Sequence, residues 1–429
     1  MLTDGLFSDP ELRALMGAEA QLSTMGRVEA ALARAQGMRG IIPADSADRI
    51  AKVARSIALD PTALVASAAR AGIPAQAFVA ALKDACGTDQ AFVHYGATSQ
   101  DIQDSALVLQ LREALMVLEE RLAELIEELR SKADAHADLV LPARTRFQIA
   151  APTTLGAKIA VWRAPLLRHL ERLSELRPRL LNLSLHGAAG TGAAFGPDAA
   201  ALRADVARDL GLGAPEVPWH AARDAIAELG GWLSLVTGSL GKIGADLILL
   251  GQSEVGEIHA GTGGGSSTMP QKCNPVAAEA LVSIARLNAG ASGTLQGSLV
   301  HAQERDGSAL AVEWEILPDM LIRTGAALRL ALDLSRSLTP NPRRIAETFA
   351  ADRGAMLAEA AGFYLARHMP RAEAQRIVAT ALSDMASDSR ETLTSALRRL
   401  QPGHDWTNIL APEQNTGPGN DINMGGEAT

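Results

Sequence analysis

The chain has 429 residues, 47% of them hydrophobic and only 3% aromatic, and its 40 Lys and Arg against 49 Asp and Glu leave a net charge of −9. That length allows two or three domains with a large core, and a core poor in aromatics must be built from Leu, Ala, Ile and Val, a mix that favours helices. The acidic balance excludes nucleic acid or an anionic membrane as the main partner, and Cys86 and Cys273 offer neither a disulfide framework nor metal-ligand spacing.

The chain starts Met1-Leu2-Thr3-Asp4-Gly5, without the basic and apolar segments of a signal peptide. No apolar stretch approaches the about 18 residues needed to cross a bilayer, so the expected compartment is the cytoplasm and no membrane partner is expected. Residues 1–100 read as a smaller helical domain with turns at Ile41-Ile42-Pro43 and Gly72-Ile73-Pro74. Leu107, Leu111, Leu115, Leu118, Leu122, Leu125 and Leu129 then recur at helical spacing. A third-and-fourth-residue pattern runs again through Ile226, Leu229, Leu233, Val236, Leu240, Ile243, Leu247 and Leu250. Between them, a helix from Ala157 to Leu183 carries Pro165 and Pro178, which are predicted to kink or end it.

Further helices are predicted over Pro275–Leu299 and Ala309–Leu338, so residues 101–338 read as a central domain of long, near-aligned helices. These helices carry more apolar face than one bundle needs, which points to oligomerisation through them; the alternative is a monomeric bundle. The Leu338-Thr339-Pro340-Asn341-Pro342 stretch marks a second boundary, followed by a helical C-terminal domain over 339–411. Residues 412–429, rich in Gly, Asn and Pro, are expected to form a mobile tail.

Three segments carry candidate chemistry. The stretches Gly190-Thr191-Gly192 and Gly261-Thr262-Gly263-Gly264-Gly265 superficially suggest a phosphate loop. Neither follows a predicted strand or leads into Gly-Lys-Ser/Thr, so nucleotide binding is not expected, and the second stretch reads as backbone freedom for a loop that opens and closes. Behind it, Ser266, Lys272 and Asn274 lie close together just ahead of a helix. A serine acts as a base only if its alkoxide is stabilised by an ammonium, by backbone N–H groups or by exclusion of water. By itself, such a Ser-Ser-Thr run is more often a cap or turn.

The second segment, His94-Tyr95-Gly96-Ala97-Thr98-Ser99-Gln100-Asp101, opens the first long helix. Its hydroxyls and free N–H groups suit a carboxylate, and a plain capping arrangement explains it equally well. The third, Arg144-Thr145-Arg146-Phe147-Gln148, leads to Pro152-Thr153-Thr154-Leu155-Gly156. Two cations this close more often form a solvated face than a site.

Together, in this order, the three segments resemble the signature regions of the fumarase/aspartase superfamily. Gly265 to Pro275 looks like its Gly-Ser-Ser-x-Met-Pro-x-Lys-x-Asn-Pro motif, complete at every fixed position, and the likeness runs from about residue 5 to 410. Within the superfamily the chain resembles the bacterial 3-carboxy-cis,cis-muconate cycloisomerases. That likeness rests on Val93 to Asp101, Val28 to Ala35, Val108 to Arg112, Pro218-Trp219-His220 with Arg223-Asp224, and Gln303-Glu304-Arg305 with Glu313-Trp314.

The resemblance implies an all-α, three-domain subunit with a central long-helix bundle, and a homotetramer in which each active site draws on three subunits. It implies a small polycarboxylate substrate and reversible lactonisation of 3-carboxymuconate in protocatechuate breakdown, with no metal and no organic cofactor. By match to the motif, Ser266 is the proton donor in lactonisation and the base in reverse, and Lys272 and Asn274 bind the carboxylate that becomes the aci-acid. Thr98, Ser99, Gln148 and Thr145 are neutral donors to other carboxylates, His94 donates a hydrogen bond or a proton, and Arg305 is a further clamp.

One departure matters. Many superfamily lyases carry a histidine at the position of Arg146, paired with a glutamate at the position of Glu279. An arginine does not exchange protons at working pH, so either an Arg146–Glu279 ion pair or an Arg146 turned toward substrate is expected. The cycloisomerases as a group also lack that histidine, which favours them over adenylosuccinate and argininosuccinate lyases. Gln271 and Cys273 stand where His and Arg are common in the cycloisomerase loop. A non-catalytic protein on the same scaffold, as some crystallins are, would be expected to have lost Ser266, Lys272 or Asn274.

Overall fold

The computed structural model of the chain describes residues 2–261, 263–265, 269 and 272–417. Six helices come first: α1 (Asp4–Phe7), α2 (Pro10–Leu15), α3 (Ala18–Met38), α4 (Ala44–Ser56), α5 (Pro61–Ala71) and α6 (Pro74–Cys86). The long α7 (Ser99–Ala135) follows, then the strands β1 (Val140–Thr145) and β2 (Gln148–Thr154), and α8 (Leu155–Leu180), α9 (Ala199–Leu210) and α10 (Asp224–Gly251). The two-residue strands β3 (Ile258–His259), β4 (Gly264–Gly265) and β5 (Cys273–Asn274) precede α11 (Val276–Gly297) and α12 (Gly307–Ser337). After β6 (Thr339–Pro340) come α13 (Pro342–Asp352), α14 (Ala358–Leu365), α15 (Arg371–Ser387), α16 (Leu393–Leu400) and α17 (Trp406–Ile409). The fold is all-α; among the described residues the strands form only antiparallel pairs, β1 with β2, β3 with β6 and β4 with β5.

Every residue of the two leucine-rich periodic stretches is buried, so the spacing read from sequence is the spacing that packs. Both predicted later helices are present as α11 and α12. Two expectations need correction. Pro165 lies well inside α8 and does not end it, whereas the helix does end at Leu180, two residues after Pro178. The carbonyl that the proline leaves without a helical donor is that of Val161, four residues earlier. Second, α10 does meet the length and mean hydropathy of a bilayer-crossing helix, with half of that stretch buried inside the protein. Glycines, serines and a threonine interrupt its apolar residues, so no continuous run shows in the sequence, and a core helix passes the same measure. Of the expected tail, Pro412–Asn415 forms a 3-10 turn, and residues 418–429 lie outside the described residues.

The chain divides into two compact units. One comprises Met1–Ala123, Arg168–Gly241 and Ala280–Arg329. In it, Met25, Val28 and Leu32 of α3 share an apolar cluster with Ile50 of α4 and Phe78 and Leu82 of α6. α3 and α4 touch through small residues: a Cβ on Gly26 would stand 2.2 Å from the Ala54 carbonyl oxygen, and one on Gly37 would stand 2.4 Å from the Ala47 Cβ. Asp9 caps α2 by accepting the Leu12 N–H at 3.0 Å and also pairs with Arg121 of α7 at 2.6 Å.

The other unit comprises Glu124–Leu167, Lys242–Glu279 and Leu330–Thr429. Its C-terminal helices enclose Met356, Leu365, Val378, Leu393 and Trp406. Arg353 ends α13 in the left-handed region at φ 54°. Its guanidinium donates to the carbonyls of Met385, Asp388 and Glu391 at 3.0, 3.0 and 3.2 Å, closing the free end of α15.

Candidate active site

The first signature segment is built around the start of α7. The Thr98 N–H donates to the Asp101 carboxylate at 3.0 Å, and the Asp101 N–H donates back to the Thr98 carbonyl at 3.0 Å. The same carboxylate accepts the N–H groups of His186 and Gly187, both at 2.9 Å, and His220 Nε2 lies 2.8 Å away. Burial alone would raise this carboxyl, but His220 and the N–H donors hold it below its ordinary value. Asp101 is therefore fully engaged as a cap and hub, and the capping alternative holds for it. Gly96 is required beside it: φ is 78°, and a Cβ would meet the Phe195 ring at 2.8 Å.

One turn on, Arg223 donates to Asp104 at 2.8 and 3.1 Å and to Glu313 at 3.0, 3.1 and 2.5 Å, with all three side chains 0% exposed. Trp219 stacks on the guanidinium, 4.6 Å from ring centroid to Cζ. Gln100 donates to Asp104 at 3.0 Å and accepts from Arg305 Nε at 2.6 Å, while Arg305 also donates to the Ala188 carbonyl at 3.0 Å. Segments far apart in sequence, around His220, Arg223, Arg305 and Glu313, thus converge on Gln100, Asp101 and Asp104. They fix the turn that carries Thr98 and Ser99, both half-buried; among the described residues neither hydroxyl makes a hydrogen bond.

His94, just before this turn, adopts φ 61°, and its Nδ1 lies 2.5 Å from the Glu29 carboxylate of α3. Burial pushes the imidazole down, but the charge and hydrogen bond of Glu29 outweigh it, and the ring titrates above its ordinary value. Glu29 was not singled out from sequence. The available signal is its place in the helical period: it falls among Met25, Val28 and Leu32 on the buried face of α3, where an acid needs a partner.

In the second unit, β1 and β2 pair from Val140 with Thr154 to Thr145 with Gln148. Arg146 and Phe147 form the two-residue turn, with φ 50° and 68°, the double left-handed geometry that Asn-Gly would fill without strain. The turn displays Arg146 and a 79%-exposed Phe147 between Thr145 and Gln148. Arg144 is taken: it clamps the buried Glu257 at 2.8 and 2.6 Å. Among the described residues no ion pair joins Arg146 to the exposed Glu279, so the first of the two expectations for Arg146 is not realised within the chain.

The serine loop closes at its base, where Gly264 pairs with Asn274 and Gly265 with Cys273. A Cβ on Gly263 would sit 1.9 Å from the Cys273 sulfur, and one on Gly264 would sit 2.5 Å from a Val276 methyl, so close approach is one reason for these glycines. Asn274 is half-buried and Lys272 exposed, its N–H donating to the Met269 carbonyl at 3.0 Å. Ser266 and Gln271 lie outside the described residues. The named residues therefore fall in two groups. His94, Thr98, Ser99 and Arg305 belong to the first unit, and Thr145, Arg146, Gln148, Lys272 and Asn274 to the second.

Comparison with known proteins adds to this geometry. A family model described as lyase matches residues 7–288. The 3-carboxy-cis,cis-muconate cycloisomerase of Pseudomonas aeruginosa is 43% identical over 384 residues, 88% of this chain and 84% of that protein. The N-acetyl-S-(2-succino)cysteine lyase of Dickeya dadantii is 34% identical over 88% of this chain and 84% of its own. Among solved structures, a 3-carboxy-cis,cis-muconate lactonizing enzyme from Pseudomonas putida superposes with a TM-score of 0.92 at 36% identity, covering 98% of this chain and 96% of that one. With its signature segments, its helical fold and relatives spanning most of its length, the chain belongs to the lyase family.

Proposed function

We propose that this enzyme interconverts 3-carboxy-cis,cis-muconate and a carboxymuconolactone. The observation that carries the reading is the 43% identity to a cycloisomerase over nearly nine-tenths of the chain. In lactonisation one substrate carboxylate adds its oxygen across a double bond, and a proton goes to the carbon next to another carboxylate. The costly species between is a doubly charged aci-carboxylate, so donors must already stand where that charge develops. Ser266 gives the proton and takes it back in reverse, with Lys272 and Asn274 holding the aci-carboxylate. Thr98 and Ser99, whose hydroxyls make no hydrogen bond among the described residues, join Thr145 and Gln148 as neutral donors to the remaining carboxylates. Arg146 meets the substrate as a cation, and Arg305 uses the donors not spent on Gln100 and Ala188. No proton is routed through Arg146.

The strained Arg146–Phe147 turn supports this role, since backbone strain of this kind collects at functional sites. The exposed apolar residues Val161, Leu235, Leu249 and Leu287 on α8, α10 and α11 support a homotetramer with shared active sites. An ultraviolet assay with 3-carboxymuconate, adenylosuccinate, argininosuccinate and N-acetyl-S-(2-succino)cysteine in parallel tests the substrate. Turnover of the muconate is expected; turnover of a succinate conjugate without it would overturn the reading. Ser266→Ala is expected to lower kcat by orders of magnitude with the oligomer intact, and near-normal activity would remove Ser266 from the mechanism.

A further inference from the structure

We propose that Glu29 is a positioning residue for this reaction: its buried carboxylate binds Nδ1–H of His94 and makes Nε2–H a fixed donor to a substrate carboxylate. The inference rests on the proposed reaction and names a device inside its site.

α3 reaches the His94 loop at two points. Glu29 binds the ring, and Gln36, two turns further along the helix, donates from Nε2 to the Tyr95 carbonyl at 2.7 Å. Both are 1% exposed and occupy positions on a face otherwise lined by Met25, Val28 and Leu32. An acid and an amide placed there are costly unless they are paired, and each has its partner in the loop. Between them they hold the side chain of His94 and the carbonyl that follows it, and the left-handed backbone at His94 completes the constraint.

The chemistry follows from which nitrogen is taken. With Nδ1–H bound to a carboxylate, a protonated ring has one further N–H, at Nε2, and a neutral ring has a lone pair there that repels an anionic substrate. The charged groups around His94 come from each packed element: Glu29 on α3, Lys83 on α6 and Asp101 on α7, with the Cys86 thiol of α6 also within the influence of Glu29. The two acids favour the protonated ring, and Lys83 and burial oppose it. Glu29 is the only one of these in direct contact with it among the described residues.

Glu29→Gln keeps the shape and an acceptor for Nδ1–H but removes the charge. In kcat/KM for 3-carboxymuconate against pH, the variant is expected to fall about tenfold or more near pH 8 and to recover as the pH drops toward about 6, where the ring protonates again. A merely structural role would lower activity across the whole range. In parallel, the His94 ring of the unliganded protein is titrated by 13Cε1-histidine NMR, its signal assigned from His94→Gln. Its midpoint is expected to fall by about one pH unit or more in the variant. Superimposable titrations would overturn the proposal whatever the substrate, and so would a shifted titration with an unchanged pH profile. If Glu29→Gln does not fold, Glu29→Asp carries the same two measurements: a shifted titration with a loss of kcat/KM supports the proposal, and wild-type behaviour in either overturns it. If the wild type does not turn over the muconate, the reaction fails as a reading; the NMR arm still decides the Glu29–His94 device, and the pH profile is taken on the conjugate that is turned over.

Discussion

Arg223 places a full charge out of reach of water, between Asp104 and Glu313 and under Trp219. Burial works against the guanidinium, and the two carboxylates more than restore it, so its pKa is raised. The arrangement is worth little as net stability but is costly to break, because removing the cation leaves two buried anions facing each other. Arg223→Met is expected to destabilise the protein by about 3–5 kcal/mol in urea unfolding; a loss below about 1 kcal/mol would show that the acids had found other partners or protons. His169 shows the opposite case. Burial, with Arg172 and Arg168 beside it, lowers its pKa to about 4, and Nε2 lies 2.9 Å from the Ser239 hydroxyl. The unfolded ring titrates near its ordinary value, so the unfolded chain binds more protons below that point. Stability from this group is complete above the ordinary histidine value and is lost as pH falls toward about 4. His169→Gln should therefore flatten the pH dependence of thermal stability between about pH 6.5 and 4; a slope equal to wild type would count against it.

At the scale of elements, the β1–β2 hairpin spends stability on display. Two non-glycine residues in the left-handed region cost roughly 1–3 kcal/mol each, and nothing in the hairpin's own pairing requires Arg or Phe there. Replacing Arg146 and Phe147 together by Asn-Gly is expected to raise the melting temperature while reducing kcat/KM at least tenfold. A variant both more stable and fully active would show that the tip has no role in catalysis. The helix pair α3–α4 spends sequence on proximity instead. Gly26→Ala, whose Cβ would collide with the Ala54 carbonyl, is expected to cost about 1–3 kcal/mol by overpacking, measured by chemical denaturation. Because α3 carries Glu29 and Gln36, the same change should also shift the His94 titration.

For the molecule as a whole, the shared-site reading makes a prediction of its own. Inactive Ser266→Ala and inactive His94→Gln subunits, mixed under conditions that allow subunit exchange, should regain part of the wild-type kcat, and a monomer in sedimentation would rule this out. The long helices were legible because three-four spacing of leucines survives any packing arrangement, and all the spaced residues are indeed buried. α8 was less so, since a proline removes one helical donor but the packing around it decides whether the helix continues. The signature motifs point to the reacting groups proposed above, because side-chain chemistry is written residue by residue. Their supports were not legible: Asp101 with His220, Arg223 with Asp104 and Glu313, and Gln100 with Arg305 join residues some 90 to 200 positions apart. Periodicity and local motif determined that the chain is all-α and which segments are proposed to carry its chemistry. Only the tertiary structure decided which polar residues brace one another, and that Glu29, a single acid on an apolar helix face, stands against His94, because burial and pairing belong to the folded arrangement.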